Sequence, residues 1–522
     1  MTRNPTQNSF DLIIIGAGIN GAGIARDAAT RGLQVLLIDK SDIASGTTSA
    51  STRLIHGGLR YLEHGELGLV RESLREREIL FRVAPHLVKP LALLIPIYSS
   101  GRRSRLAIRA GLIAYDLLSI GKSVPNHQML SREETLVRIP GLKRENLLGS
   151  AVYHDGHVEF PERLVLENVI SAQEKGGVVM TYAKVDRITL VDGHVEGIEF
   201  TDQLSGKSSV ARASVVVNAA GAWVDQLLPH TLSAKRLIGG TKGSHIVVGL
   251  FSGAPDHALY VEAESDGRPF FVIPWNGNLL IGTTDIRYDG DLDRVEISKN
   301  EIDYLVNETN RLVPGAKLNT SSILFAYSGV RPLAFVADGD EASITRRHFV
   351  HEHESCVGLL SIIGGKLTTY RSLAEEVVDL VGRKLGKQLR PCQTSRQQLP
   401  GALGETDLSL SGVASEPTLK RLAGIYGTRA ERVIKLVESD HSLAQAFDPE
   451  TGAIAAEVVH AFENELAQTL SDCLLRRTMV GFNSTRGREA VETAAEIARR
   501  HLGWSDERAR DETFQYLNAV SL

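Results

Sequence analysis

Residues 10–39 read FDLIIIGAGINGAGIARDAATRGLQVLLID, and no other stretch constrains the fold as tightly. The apolar run at 11–15 is Ile-rich, too short for a buried helix and stopped at once by glycine, which predicts an interior parallel strand. The turn after it, Gly16-Ala17-Gly18-Ile19-Asn20-Gly21, matches G-x-G-x-x-G between a strand and a helical pattern. Gly16 permits the sharp turn, Gly18 lets the backbone approach a pyrophosphate, and Gly21 lets the helix pack closely on the strand. A pyrophosphate would sit on the unsatisfied N–H groups at the positive end of that helix. The helix is expected to run to about Arg31 and to stop at Gly32, before a second apolar strand at 34–38. Asp39 ends that strand about 18 residues beyond Gly21, where an acid that accepts from ribose hydroxyls belongs. The register of strand, turn, helix, strand and acid predicts a dinucleotide site, and leaves open whether NAD or FAD fills it.

The chain has 522 residues, 43% hydrophobic and 23% charged, which suffices for two or more domains with large cores. A net charge of −5 gives no global excess of Lys and Arg for neutralising phosphates, so a nucleic-acid partner is not expected. Cys356, Cys392 and Cys473 are widely spaced and odd in number, which argues against a disulfide framework or a cysteine metal site and fits a reducing compartment. The polar first nine residues lack the apolar core of a signal peptide, and no apolar run is long enough to cross a bilayer.

After Asp39 comes a run of small hydroxyl residues, IASGTTSAST at 43–52, then RLIHGGLRYL at 53–62. Together with the opening stretch, these blocks resemble the FAD-dependent glycerol-3-phosphate dehydrogenases. The resemblance continues through KGSHIVV (242–248), FVIPW (271–275), IGTTD (281–285), YSGVRP (327–332), ITR (344–346) and GGKLTTYR (364–371). It implies an α/β fold: a Rossmann-like FAD-binding domain of the glutathione-reductase/amino-acid-oxidase type, an inserted, mainly antiparallel substrate domain, and an all-helical C-terminal domain. The expected FAD part covers about 1–90, 150–230 and 335–388, the substrate part about 91–149 and 231–334, and the C-terminal domain 389–522.

The resemblance also assigns residues. For FAD these are Gly16, Gly18, Asn20, Gly21, Asp39 and Lys40 in the opening unit, and Thr47, Ser49 and Ser51 in the hydroxyl run. His56, Gly57 and Gly58 follow in the next turn, then Val185, Ala220, Gly221 and Trp223, and finally Gly365, Lys366, Leu367 and Thr368. It implies oxidation of sn-glycerol 3-phosphate to dihydroxyacetone phosphate by hydride transfer to FAD, with a membrane quinone as acceptor. Electron transfer to oxygen, as in a glycerophosphate or amine oxidase, is the near alternative; a non-catalytic, membrane-associated flavin protein is the distant one. There is one dinucleotide fingerprint and no second, so NAD(P)H is not expected as partner. The oligomeric state stays open, with a homodimer among the assemblies to test.

Oxidising a phosphorylated alcohol needs cations for the dianion and a group to take the hydroxyl proton. Arg60, Arg331, Arg346 and Lys366 supply the first, with Tyr61 and Thr369 as neutral donors; arginine's planar fork suits phosphate oxygens. His245 and His56 are candidates for the second, and His245 is preferred for its place in the KGSHI block, with Arg331 or Lys366 stabilising the alkoxide. No metal is assigned, and His351 and His353 read as surface residues.

The remaining patterns are local. Residues 66–82 predict a surface helix whose charges face solvent. Residues 102–118 predict a helix with Leu106, Ala110, Ile113 and Leu117 on one stripe and Arg102, Arg105 and Arg109 towards another. Such a helix either packs on its own domain or lies in a lipid headgroup layer. Members of the resembling family are peripheral membrane enzymes, which implies a cytoplasmic protein on the inner face of the cell membrane. Period-two runs at 178–181, 183–190, 195–201 and 208–213 predict an antiparallel meander. Thr368 is expected to cap a helix reaching about Leu385, and C-terminal helices are expected at 418–438, 454–479 and 488–502.

Overall fold

The computed structural model describes residues 9–63, 65–228, 236–336, 345–404 and 414–521; the first eight residues and Ile344 lie outside the described residues. The opening stretch folds as strand β1 (Leu12–Ile15), helix α1 (Ile19–Thr30) and strand β2 (Val35–Ile38). These strands lie inside a six-stranded sheet in the order Phe349–Glu352, Leu359–Ile363, Val216–Asn218, β1, β2, Val178–Met180. All its pairs are parallel except the one at the Phe349–Glu352 edge.

Alternation along β1 divides its apolar residues between two cores. Leu12 and Ile14 face α1 and the helices Pro161–Glu174 and Tyr370–Lys384, while Ile13 and Ile15 face a three-stranded antiparallel sheet across the other side. A parallel sheet covered on both faces explains the unbroken apolar runs. That smaller sheet is made of Ala183–Val191, His194–Asp202 and Ser208–Arg212. The predicted meander is corrected at its first member: Val178–Met180 pairs in parallel with β2, because its neighbour in space is set by the preceding helix and not by the following turn.

The second large sheet has ten strands and is antiparallel apart from the pairing of Ala258–Glu262 with Val88–Tyr98. Val88–Tyr98 pairs with Leu147–Val158 almost throughout, so the expected boundaries at 91 and 150 fall within strands. The Asn276–Gly277 turn joins Pro269–Trp275 to Asn278–Gly282 with positive φ at both residues, 48° and 73°, the geometry that an Asn-Gly pair favours in a two-residue hairpin. Helix Lys299–Leu312 starts at a capping box between Ser298 and Glu301 and packs on one face of this sheet.

The C-terminal domain is helical apart from a two-stranded ribbon, Ala446–Asp448 with Ala453–Ile454. Two of its three expected helices are broken, while the third stands as Val491–Leu502. Glu416–Tyr426 ends at Gly427, whose φ is 56° and where a Cβ would meet the Gly401 carbonyl oxygen at 1.8 Å. The expected helix at 454–479 divides into Ala455–Asn464 and Leu470–Arg476.

Three further expectations are corrected. Helix α2 (Leu67–Val83) turns only part of its charge to solvent: Arg71, Arg75 and Arg82 are exposed, but Glu76 and Arg77 are buried, Glu76 against Arg371 at 2.6 Å and Arg77 against Asp155 at 2.7 Å. Thr368 does not cap a helix; its Oγ1 accepts from the His56 amide at 3.1 Å, and the helix begins after Thr369. His353 is buried, hydrogen-bonded to Ser361 Oγ at 2.9 Å.

Helix α3 (Arg105–Leu118) is amphipathic, yet its predicted apolar stripe faces outward, with Leu106 76% and Leu117 63% exposed. Its inward residues are Leu112 and Tyr115.

Glu76→Ala would strand the buried Arg371 guanidinium with the half-exposed Glu375 as its remaining carboxylate. A loss of about 3–5 kcal/mol is expected, the usual cost of breaking a buried pair from one side. Chemical unfolding reads it as a lowered midpoint.

Candidate active site

A cleft of about 630 Å³ opens at the carboxyl end of β1 and the start of α1. Of the predicted cofactor residues, Gly16, Gly18, Asn20, Asp39, Lys40, Thr47 and Ser51 line it from the first ninety positions, and Val185, Ala220, Gly221, Trp223, Gly365, Lys366 and Leu367 from later ones. The glycines are needed for contact. A Cβ on Gly16 would lie 2.6 Å from the Ala219 carbonyl oxygen, and one on Gly21 would lie 1.8 Å from the Gly16 carbonyl oxygen. Gly21 therefore shapes the turn from behind and does not line the cleft.

Asp39 accepts from the Ala17 amide at 2.6 Å and the Ser41 amide at 2.8 Å. Burial still pushes its carboxyl up to about 6, which leaves an acceptor suited to neutral hydroxyl donors. Asn20 Oδ1 is buried in the cleft with no partner among the described residues, an open acceptor for a bound group. Across the mouth, Trp223 Nε1 donates to Asp293 at 2.8 Å, and Lys40 pairs with the same carboxylate while lying 4.7 Å over the Trp223 ring. These donors, acceptors and close backbone approaches fit a dinucleotide.

The other predicted cofactor positions support the cleft from outside. Ser49 donates to the Ala44 carbonyl, and Gly57 donates its amide to Tyr115 Oη at 2.9 Å. Gly58 has φ of 80°, with the Tyr61 ring where a Cβ would stand. Sequence reasoning passed over Thr48, whose Oγ1 accepts from the Ile19 amide at 3.2 Å at the start of α1; its only signal was membership of the hydroxyl run.

Beyond Gly365 the predicted cations come together. Arg331 and Arg346 share one carboxylate, Asp285, at 3.0 and 2.9 Å, and Arg331 also donates to Thr283 Oγ1 at 2.9 Å. Lys366 donates to Ser73 Oγ at 2.9 Å and lies 4.3 Å over the Tyr61 ring. Burial and the nearby Arg346 lower Arg331 to about 10, so it stays charged at neutral pH. Burial, against the pull of Glu72 and Glu66, lowers Lys366 to about 7. Asp285 moves the other way: burial opposes it, but the two arginines hold it below the usual carboxylate range. Asp285 ends the IGTTD stretch, and nothing local to that stretch shows that two arginines share it.

Thr369 is buried where helix Tyr370–Lys384 begins. Arg60 lies in the 3-10 turn Leu59–Leu62 and lines a second cavity of about 600 Å³, on the α3 side.

The two histidines differ in setting. His245 is buried, its Nε2 2.9 Å from Thr52 Oγ1, its Nδ1 without a partner among the described residues and its ring stacked on Tyr327 at 4.9 Å. Burial, with Arg331 and Arg53 nearby, holds it well below the usual imidazole range and hence neutral. His56 is half-buried, and burial together with Lys366 and Arg346 lowers it to about 4, against Asp155.

A lysine near 7 is a cation below that pH and neutral above it. Affinity for sulfate, a dianion at constant charge, is therefore expected to fall as pH rises from about 6 to about 9, and Lys366→Met to flatten the profile. Titration calorimetry measures both.

Comparison with known proteins places this geometry. Residues 11–371 match the family described as FAD dependent oxidoreductase, and residues 392–509 match the C-terminal domain of alpha-glycerophosphate oxidase. The chain is 46% identical to a glycerol-3-phosphate dehydrogenase of Synechocystis sp., over 97% of this chain and 96% of the relative. It is 33% identical to the aerobic glycerol-3-phosphate dehydrogenase of Staphylococcus aureus, over 91% and 88%. Among solved structures, the glycerol-3-phosphate dehydrogenase of Bacillus halodurans complexed with FAD superposes with a TM-score of 0.77 at 30% identity, covering 99% of this chain and 95% of that one. A cleft built for a dinucleotide, a cation cluster at its end and relatives matched over nearly their whole length agree: the chain belongs to the FAD-dependent glycerol-3-phosphate dehydrogenases.

Proposed function

We propose that the protein oxidises sn-glycerol 3-phosphate to dihydroxyacetone phosphate and passes the electrons to a membrane quinone. The observation that carries this reading is the convergence of Arg331, Arg346 and Lys366 just past the Gly364–Gly365 turn at the end of the cleft. Bound FAD supplies the two-electron acceptor that no side chain offers. The residues do the rest. Two arginines sharing one aspartate keep a net positive charge, and with Lys366 they suit a phosphate dianion. His245, neutral and fixed by Thr52 and Tyr327, accepts the hydroxyl proton, while Arg331 stabilises the developing alkoxide.

The acceptor reading rests on the other side of the molecule. The outward stripe of α3, with Arg102, Arg105 and Arg109 exposed beside it, suits an anionic lipid surface. Among the described residues no helix is long and apolar enough to cross a membrane, so contact would be peripheral, on the inner face of the cell membrane. The second cavity lies between α3 and the strands Val88–Tyr98 and Ala258–Glu262, with Ile95, Ile97, Ile108 and Arg60 in its wall. It offers a lipid-soluble quinone a route towards the Tyr61–Lys366 site. A second reading, transfer to oxygen, is favoured by the match of residues 392–509 to an oxidase domain.

Anaerobic addition of sn-glycerol 3-phosphate is expected to bleach the flavin absorption, and an unchanged spectrum would sink the reading. Rapid peroxide formation in air without quinone would select oxygen as acceptor. Arg331→Ala is expected to lose turnover with FAD retained. His245→Asn is expected to slow flavin reduction by about 10²–10⁴-fold; an unaffected His245→Asn beside a crippled His56→Asn would move the proton acceptor to His56. Flotation with anionic liposomes should fail when Arg102, Arg105 and Arg109 are replaced by Glu, and unchanged flotation would exclude α3.

A further inference from the structure

The hydroxyl loop at 41–53 makes contacts on two sides. On its inner side it touches most of the site: Thr48 accepts from the Ile19 amide at the start of α1, and Thr47 Oγ1 donates to the Val330 carbonyl at 2.8 Å, next to Arg331. The Ser51 carbonyl accepts from Tyr327 Oη at 3.0 Å, and Thr52 holds His245. A loop of mostly small polar residues buries little apolar surface of its own, Ile43 and Ala44 being its side chains in the core, so its remaining stretch depends on contacts from outside for its shape. Its two ends are also costly, because Ala44 and Arg53 both take left-handed backbone, with φ of 60° and 61°.

On the outer side, one turn of the C-terminal domain meets both ends. Near the loop's start, Asp42 is buried and gripped by Arg477 through a two-pronged contact at 3.0 and 2.8 Å, and by Arg476 Nε at 2.5 Å. At its end, the Arg53 guanidinium lies 4.8 Å from the Phe482 ring, with Trp275 at 4.5 Å and both oxygens of Glu162 at 3.1 Å. Phe482 is itself tied back, its carbonyl accepting from Asn276 Nδ2 at 2.8 Å. Residues 476–482 thus reach the cofactor loop at two points about ten residues apart, although they lie over four hundred positions away in sequence.

We infer that the C-terminal domain is a clamp on the FAD-binding loop, with Arg477 and Phe482 as positioning residues that act through Asp42 and Arg53. The domain contributes no side chain to the cation cluster among the described residues; its part is to hold the loop in the shape that retains FAD and orients His245.

The test uses full-length holoenzyme carrying Arg477→Met, Arg477→Lys or Phe482→Leu. The control is Glu167→Gln, which weakens the same domain interface at Arg429 and the Gly401 amide and leaves Glu465, whose carbonyl accepts from Arg477 Nε, unchanged. Hydrogen–deuterium exchange of peptides covering 41–53 and the rate of FAD release are measured. Arg477→Met is expected to raise both by about tenfold or more, as local opening by one decade would, with Arg477→Lys recovering part of the loss. Glu167→Gln should leave both within about twofold. In FAD-saturated Arg477→Met, flavin reduction at saturating sn-glycerol 3-phosphate should slow while substrate affinity holds. This last arm rests on the proposed reaction, whereas exchange and FAD release do not, so a failed clamp and a failed substrate assignment give different results. Unchanged exchange and FAD release in Arg477→Met would overturn the inference, as would equal changes in Glu167→Gln. If Arg477→Met does not fold, Phe482→Leu carries the same two outcomes at the 50–53 end.

Discussion

The arrangement of this protein depends on keeping guanidinium groups dry. Arg53, Arg77, Arg163 and Arg477 are among its largest fully buried side chains, and each meets a carboxylate distant in sequence: Glu162, Asp155, Glu465 and Asp42. A buried ion pair gains little over a well-packed apolar pair, but a buried charge without its partner is severely destabilising. Such pairs therefore select one closure of the chain over others more than they deepen it. Helix Pro161–Glu174 shows this directly: Glu162 takes Arg53 from the cofactor loop, while Arg163 and Glu167 take Glu465 and Arg429 from the C-terminal domain.

The site arises where the two large sheets meet. The parallel sheet supplies the close glycine turn, the acid at the end of β2 and the Gly364–Gly365 turn that brings Lys366 forward. The ten-stranded sheet system supplies Arg331 and His245 from the paired strands Ile323–Arg331 and Thr241–Val248. Neither sheet holds a complete set of groups for binding an anion and moving a proton. Burial then tunes them in a consistent direction: it disfavours the charged form of His245, His56 and Lys366, so the pocket carries less positive charge when empty than its composition suggests.

Apolar surface is divided just as unevenly. Ordinary surface helices turn their apolar stripe to the core, yet α3 buries only Leu112 and Tyr115 and leaves Leu106, Ile113 and Leu117 outside. Tyr115 is the inward anchor, with its hydroxyl on Asp155 at 2.8 Å and accepting from the Gly57 amide. The helix is thus tied to the HGG turn, with Ile108 and Leu118 packed beside that anchor, while Leu106, Ile113 and Leu117 stay exposed.

Sequence alone determined the local units: the strand–turn–helix–strand with Asp39 at its tip, the antiparallel strands within 183–213, the amphipathic helix within 102–118 and three of the four cations, Arg331, Arg346 and Lys366, that converge. Each is legible because its cause lies within a few residues, in periodicity, glycine or a cap. The tertiary structure decided the rest. It turned Glu76 and Arg77 of α2 inward, joined Val178–Met180 to the parallel sheet, split two of the C-terminal helices, placed Asp285 between two arginines and set Asp42 under Arg477. The physical reason is that a charge run reads the same whether it is solvated or buried. Only the arrival of a counter-charge from a remote segment makes burial tolerable, and spacing along the chain carries no record of which segment that will be.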